Sequence, residues 1–164
     1  MVANFNADDI LAMAEQIERN GAAFYRRAAE ISTDDSVKKR LEQLAEWEGG
    51  HESLFSKMRE NLKGREAEPT TFDPNGDAAH YLTEMANRHV FRSGDVTRML
   101  TGKETPEQVL DIAIDFERDS ILFFQGVETL VPAWLGKDKV HALVEEEMGH
   151  VAYLAREKAA LKSR

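Results

Sequence analysis

Apolar side chains recur along this chain in steps of three and four, the spacing of a helix face turned toward a core. The first run, Ile10, Ala14, Ile17, Gly21, Tyr25 and Ala28, predicts a helix reaching about Ile31, with Asn6 or an adjacent Asp as its cap. A second follows "STDD" and reads Val37, Leu41, Leu44, Glu48, His51, Phe55, Met58 and Leu62. The third opens at "TPEQ", a capping box with Pro106 at the first helical position, and reads Leu110, Ala113, Glu117, Ser120, Phe124 and Val127 before Pro132 ends it. After "AWLGKD" the fourth carries Val140, Leu143, Glu147, His150, Leu154 and Leu161 to the C-terminus.

Residues 64–76, "GREAEPTTFDPNG", read as a loop, after which Asp77 is placed to cap a shorter helix through about Arg92. No stretch alternates in the two-residue rhythm of a strand. Two short joins separated by one long excursion give an all-α reading: an antiparallel four-helix bundle with one long crossover containing a short extra helix. At 164 residues the chain suits a single domain, 1–164, with one core.

Charged residues interrupt these seams at their centres. Glu48 with His51, and Glu147 with His150, stand at core positions of the second and fourth long helices, while Glu18 and Glu117 accompany the seams of the first and third. Sliding the chain along itself by 99 residues lays "IERNGAAFY" (17–25) on "FERDSILFF" (116–124) and "LAEWEGGH" (44–51) on "LVEEEMGH" (143–150). Each half thus holds a lone Glu followed 30 residues later by Glu-x-x-His, and Tyr25 falls on Phe124.

Residues three apart on a helix share a face, so each Glu-x-x-His can offer an oxygen and a nitrogen to one ion. Four carboxylates gathered in a bundle core repel one another and lose hydration, at a cost of several kcal/mol each unless cations join them. Two divalent ions balance four carboxylates, with two neutral imidazoles completing the set. Carboxylate and imidazole donors suit iron or manganese better than calcium or magnesium, and the lack of thiolates argues against structural zinc.

Composition narrows the remaining possibilities. A formal charge of −9 disfavours nucleic acid and anionic membrane surfaces, and no run approaches the roughly 18 apolar residues of a membrane span. The N-terminus lacks the basic patch and apolar run of a secretory signal, so a cytoplasmic location is expected. With no cysteine the chain holds neither disulfides nor cysteine-ligated iron, and any electrons it uses come from elsewhere.

Taken in order, "ERNGAAFY", "EGGH", "ERDSILFF" and "EMGH" resemble the rubrerythrin-like branch of the ferritin-like superfamily across nearly the whole chain. The resemblance implies a ferritin-like bundle with a di-iron centre held by Glu18, Glu48, His51, Glu117, Glu147 and His150. It makes Glu48 and Glu147 the bridging carboxylates and Tyr25 the candidate catalytic residue beside the ligands. It further implies two iron ions, with manganese or a mixed pair as alternatives, and a peroxidase that reduces hydrogen peroxide with electrons from an external donor such as rubredoxin. A ferroxidase using dioxygen and serving iron storage or detoxification is the alternative, and a metal-stabilised, non-enzymatic bundle is a third. A homodimer is expected on the same ground. The chain departs from the family in lacking a rubredoxin domain, in having Ile114 and Ser120 where an additional Glu would stand near the third-helix ligand, and in Phe124 opposite Tyr25.

Gly21, Gly49, Gly50 and Gly149 stand beside the expected ligands, where each costs roughly 1 kcal/mol against Ala. They either let the helices close around metal, or leave space for a small oxidant, or merely permit close packing. His80, His89 and His141 are expected at the surface or in caps, Trp47 and Trp134 in packing or an interface, and Glu145 and Glu146 on a solvated face.

Overall fold

A computed structural model describes residues 5–65, 73, 75–86 and 99–163. Its elements are α1 (Ala7–Ile31), α2 (Asp35–Glu60), α3 (Asp77–Ala86), α4 (Pro106–Leu130) and α5 (Lys137–Lys162). A single 3-10 turn, Ala133–Leu135, lies between α4 and α5. No described helix is long and apolar enough to cross a membrane.

The starts of α1, α2 and α4 are satisfied by short polar residues. Asn6 and Asp9 form a reciprocal capping box at the start of α1, Asp34 accepts from the backbone of Ser36 and Val37 at the start of α2, and Thr105 with Gln108 repeats the capping box at α4. Helix α5 has no side-chain cap. Gly136 turns the chain into it with φ 96°, a left-handed conformation that glycine adopts without strain.

Helices α1 and α2 form one antiparallel hairpin and α4 and α5 the other, with α1 against α4 and α2 against α5. The seams meet as the periodicity requires: Ile10, Leu11, Leu41, Leu44, Leu110, Phe124, Val140 and Leu154 are buried completely. Phe24 stacks on Phe116 at 5.1 Å and Phe55 on Phe124 at 5.5 Å, so aromatic contacts join the two hairpins. At the rim the Arg59 guanidinium of α2 binds Asp8 at 2.9 Å and Glu15 at 2.9 Å on α1, tying the first hairpin together.

The crossover helix begins where expected but is capped differently. Asp77 is its first helical residue; Asp73, four residues earlier, accepts from the backbone N–H of Ala79 instead. The expected continuation from 87 to Arg92, with His89, lies outside the described residues. Tyr81 anchors α3 on α4, its hydroxyl donating to the Leu122 carbonyl at 2.7 Å while its ring lies where a Cβ on Gly126 would be, 2.5 Å from it.

Candidate metal centre

Glu18 of α1, Glu48 and His51 of α2, Glu117 of α4, and Glu147 and His150 of α5 converge midway along the bundle, all buried. They form two overlapping groups. Glu18, Glu48, His51 and Glu147 each offer one donor atom within 4.8 Å of the others, and so do Glu48, Glu117, Glu147 and His150. Glu48 and Glu147 belong to both groups, the arrangement expected of carboxylates shared between two ions.

The contacts within the cluster are close but incompletely satisfied. His51 Nδ1 lies 3.0 Å from Glu147 Oε1 and 3.3 Å from Glu18 Oε2. His150 Nδ1 lies 3.0 Å from Glu147 Oε2, 3.4 Å from Glu48 Oε1 and 3.6 Å from Glu117 Oε1. Even so, Glu18 Oε1 and Oε2, Glu48 Oε1, Glu117 Oε2, Glu147 Oε1 and His51 Nδ1 have no hydrogen-bond partner. Buried acceptors are ordinarily paired, because each one left unpaired costs on the order of 1 to 3 kcal/mol, and more when charged. Donor atoms aimed at one another rather than at N–H groups fit a pair of cations between them, so the residues present suit a two-ion centre.

Protonation points the same way. Burial pushes the Glu18 carboxyl up to about 7, against the pull of His51. Burial, together with the neighbouring carboxylates, holds Glu48 and Glu117 well above the ordinary carboxylate range. Glu147 is held low despite its burial, because the His150 imidazole hydrogen-bonds to it and the His51 imidazole lies against it at 3.0 Å. Burial alone would lower the two imidazoles, yet the surrounding carboxylates push each up to about 12. In the metal-free protein, protons therefore occupy the place that cations would take.

Tyr25, buried on α1, donates its hydroxyl to Glu117 Oε1. Burial and the adjacent carboxylates raise its pKa well above the usual phenol value, which keeps it a donor. Phe124, its counterpart in the other half, stacks on Phe55. Among the glycines, Gly21 permits a close approach: a Cβ there would lie 2.7 Å from Glu48 Oε2. At Gly49, Gly50 and Gly149 a Cβ would meet nothing within 4 Å, so close packing does not account for them.

Glu146, expected on a solvated face, and Trp47, expected in packing or an interface, both reach the histidines. Glu146 is exposed on α5, but its Oε2 lies 2.9 Å from His51 Nε2. Trp47 stacks on the His150 ring at 5.2 Å with an interplanar angle of 7°, and meets Tyr153 edge-on. The 99-residue shift sets Trp47 against Glu146, one position before each shared carboxylate, and that register was the available signal. His80 is exposed and His141 pairs with Glu128 at the surface; Trp134 lies under the Arg65 guanidinium at 3.7 Å.

The bundle superposes on a crystal structure from Thermotoga maritima with a TM-score of 0.66 and 24% identity, covering 95% of this chain and 96% of that one. That protein is proposed to be a ferritin-like diiron-carboxylate protein. The fold is the ferritin-like four-helix bundle. No protein-family model matches the sequence, and none of the curated proteins does.

Proposed function

We propose that the buried cluster is a di-iron centre and that the protein is a non-haem oxidoreductase acting on hydrogen peroxide. The observation that carries this reading is the pair of overlapping donor groups sharing Glu48 and Glu147, with unpaired carboxylate oxygens at their centre. The proposed diiron-carboxylate assignment of the Thermotoga maritima protein supports it. Glu18, Glu48, His51 and Glu147 would hold one ion, and Glu48, Glu117, Glu147 and His150 the other. When bound, a ferrous pair supplies the two electrons that cleave the peroxide O–O bond to give water.

The protein's own groups exclude water and hold a proton nearby. The core around the ligands is apolar and includes the buried stacked pairs Phe24–Phe116 and Phe55–Phe124. The Tyr25 hydroxyl keeps its proton at Glu117 Oε1, beside the residues that would hold the ions, where it would serve as a nearby proton donor. With no cysteine in the sequence, re-reduction calls for an external one-electron donor such as a rubredoxin.

Anaerobic loading with two ferrous ions per chain, followed by stopped-flow absorbance against hydrogen peroxide or dioxygen, tests the reading. Faster oxidation by peroxide, ending at two irons, is expected. Faster oxidation by dioxygen with turnover of many irons per chain would make the protein a ferroxidase instead.

A further inference from the structure

The two halves of the centre carry the same ligands but different supports. The shift that lays Glu18 on Glu117 and His51 on His150 also lays Trp47 on Glu146 and Tyr25 on Phe124. What stands behind one imidazole is therefore an anion, and behind the other an indole.

We infer that the centre fills in order, the Glu18/His51 position taking the first divalent ion and the Glu117/His150 position the second. This rests on the two-ion reading above. Three features of the geometry lead to it.

At the Glu18/His51 position the lone carboxylate is free. Both Glu18 oxygens lack hydrogen-bond partners, so an ion arriving there meets an open carboxylate, though it must part His51 Nδ1 from Glu147 Oε1, 3.0 Å away. At the other position, His150 Nδ1 and Glu147 Oε2 satisfy each other at 3.0 Å, and Glu117 Oε1 already accepts from Tyr25. An ion seated there must also part a His–Glu147 pair, and it shares Glu117 with a phenol, which leaves only Oε2 of that carboxylate open.

The outer partners act in the same direction. Glu146 at 2.9 Å accepts from the Nε2–H of His51, which fixes the ring with Nδ1 turned inward and makes that nitrogen a stronger donor to an ion. Trp47 covers a face of His150 but offers no acceptor, since an indole N–H only donates. An outer carboxylate of this kind contributes about 10- to 100-fold in metal affinity. A chain with one ion therefore holds it beside His51, and singly loaded chains predominate at one equivalent.

The test is titration of 15N-histidine-labelled protein with Zn2+, a diamagnetic probe, following the imidazole nitrogen signals assigned through single His→Gln variants. The expected result is two ions bound, with the His51 signals moving over the first equivalent and those of His150 over the second. Two ions bound with both rings shifting together, or with His150 first, would overturn the order while leaving the two-ion centre standing. Binding of well under two ions would instead overturn the two-ion reading and the order with it. Glu146→Gln, confirmed folded by circular dichroism, should weaken the first equivalent by about tenfold or more and narrow the gap between the two. An unchanged first affinity in that variant would remove Glu146 as the source of the preference.

Discussion

Gly21 on α1 lies against Glu48 on α2, so close that a Cβ on Gly21 would stand 2.7 Å from the Glu48 Oε2 atom. An alanine there gains helix propensity, about 1 kcal/mol, but displaces a carboxylate shared by both donor groups. Gly21→Ala is expected to keep its helix content and lose metal. Circular dichroism alongside metal analysis checks this, and full loading of the variant would refute it.

Removing a shared carboxylate should have opposite effects on the two forms of the protein. Glu48 is buried among other acids, and burial with their repulsion raises its pKa. Glu48→Gln is therefore expected to raise the melting temperature of the metal-free protein while abolishing the rise that metal produces. Thermal melts with and without a chelator measure both.

The protons held by the cluster set the sign of its pH dependence. Glu18, at about 7, lies above its unfolded value of 4.5, and His51 and His150, at about 12, lie above 6.5. In each case the native state binds more protons than the unfolded chain between the two values, so stability falls as pH rises through that window. Metal-free protein should accordingly melt at lower temperature at pH 8 than at pH 5. Because ions displace the same protons, metal affinity should increase over that range, and the gap between loaded and metal-free melting temperatures should widen. A gap that stays constant would mean the cluster does not carry those protons.

Tyr25→Phe deletes the hydroxyl that donates to Glu117 and leaves the ring's packing against Phe24 in place. Loss of that single buried donor to an acid should cost the metal-free protein roughly 1 to 3 kcal/mol in urea unfolding. Peroxide-driven oxidation of the loaded protein should slow, and an unaltered rate would take Tyr25 out of the chemistry.

Gly126→Ala provides a control away from the centre. The Tyr81 ring occupies the space its methyl would need, so α3 should loosen from α4. Hydrogen exchange should quicken over 77–86 while metal binding is retained; loss of metal would show that docking of the crossover helix supports the ligands.

The long helices and the core-facing placement of Glu18, Glu48, His51, Glu117, Glu147 and His150 were readable from the chain alone, because both follow from a local rule. Seams of period 3.6 place each residue on a face, caps such as Asn6 and Thr105 mark the helix starts, and the 99-residue repeat sets the two halves at matching heights. The short helix was less legible: Asp77 reads as its cap by residue type, but the backbone N–H of Ala79 donates to Asp73 instead.

Tertiary structure alone decided what crosses between helices. Glu146 reads as part of a solvated face and Trp47 as packing or an interface with no partner named, and it is the rotation and offset of α2 against α5 that put one on His51 and the other over His150. Gly21 is likewise unremarkable in sequence among the small residues near the ligands, and only the separation of α1 from α2 sets it apart from Gly49, Gly50 and Gly149. A helix reports its own phase through the spacing of its residues. The distance and rotation between two helices depend on the packing of all the side chains between them, and no single stretch of sequence carries that information.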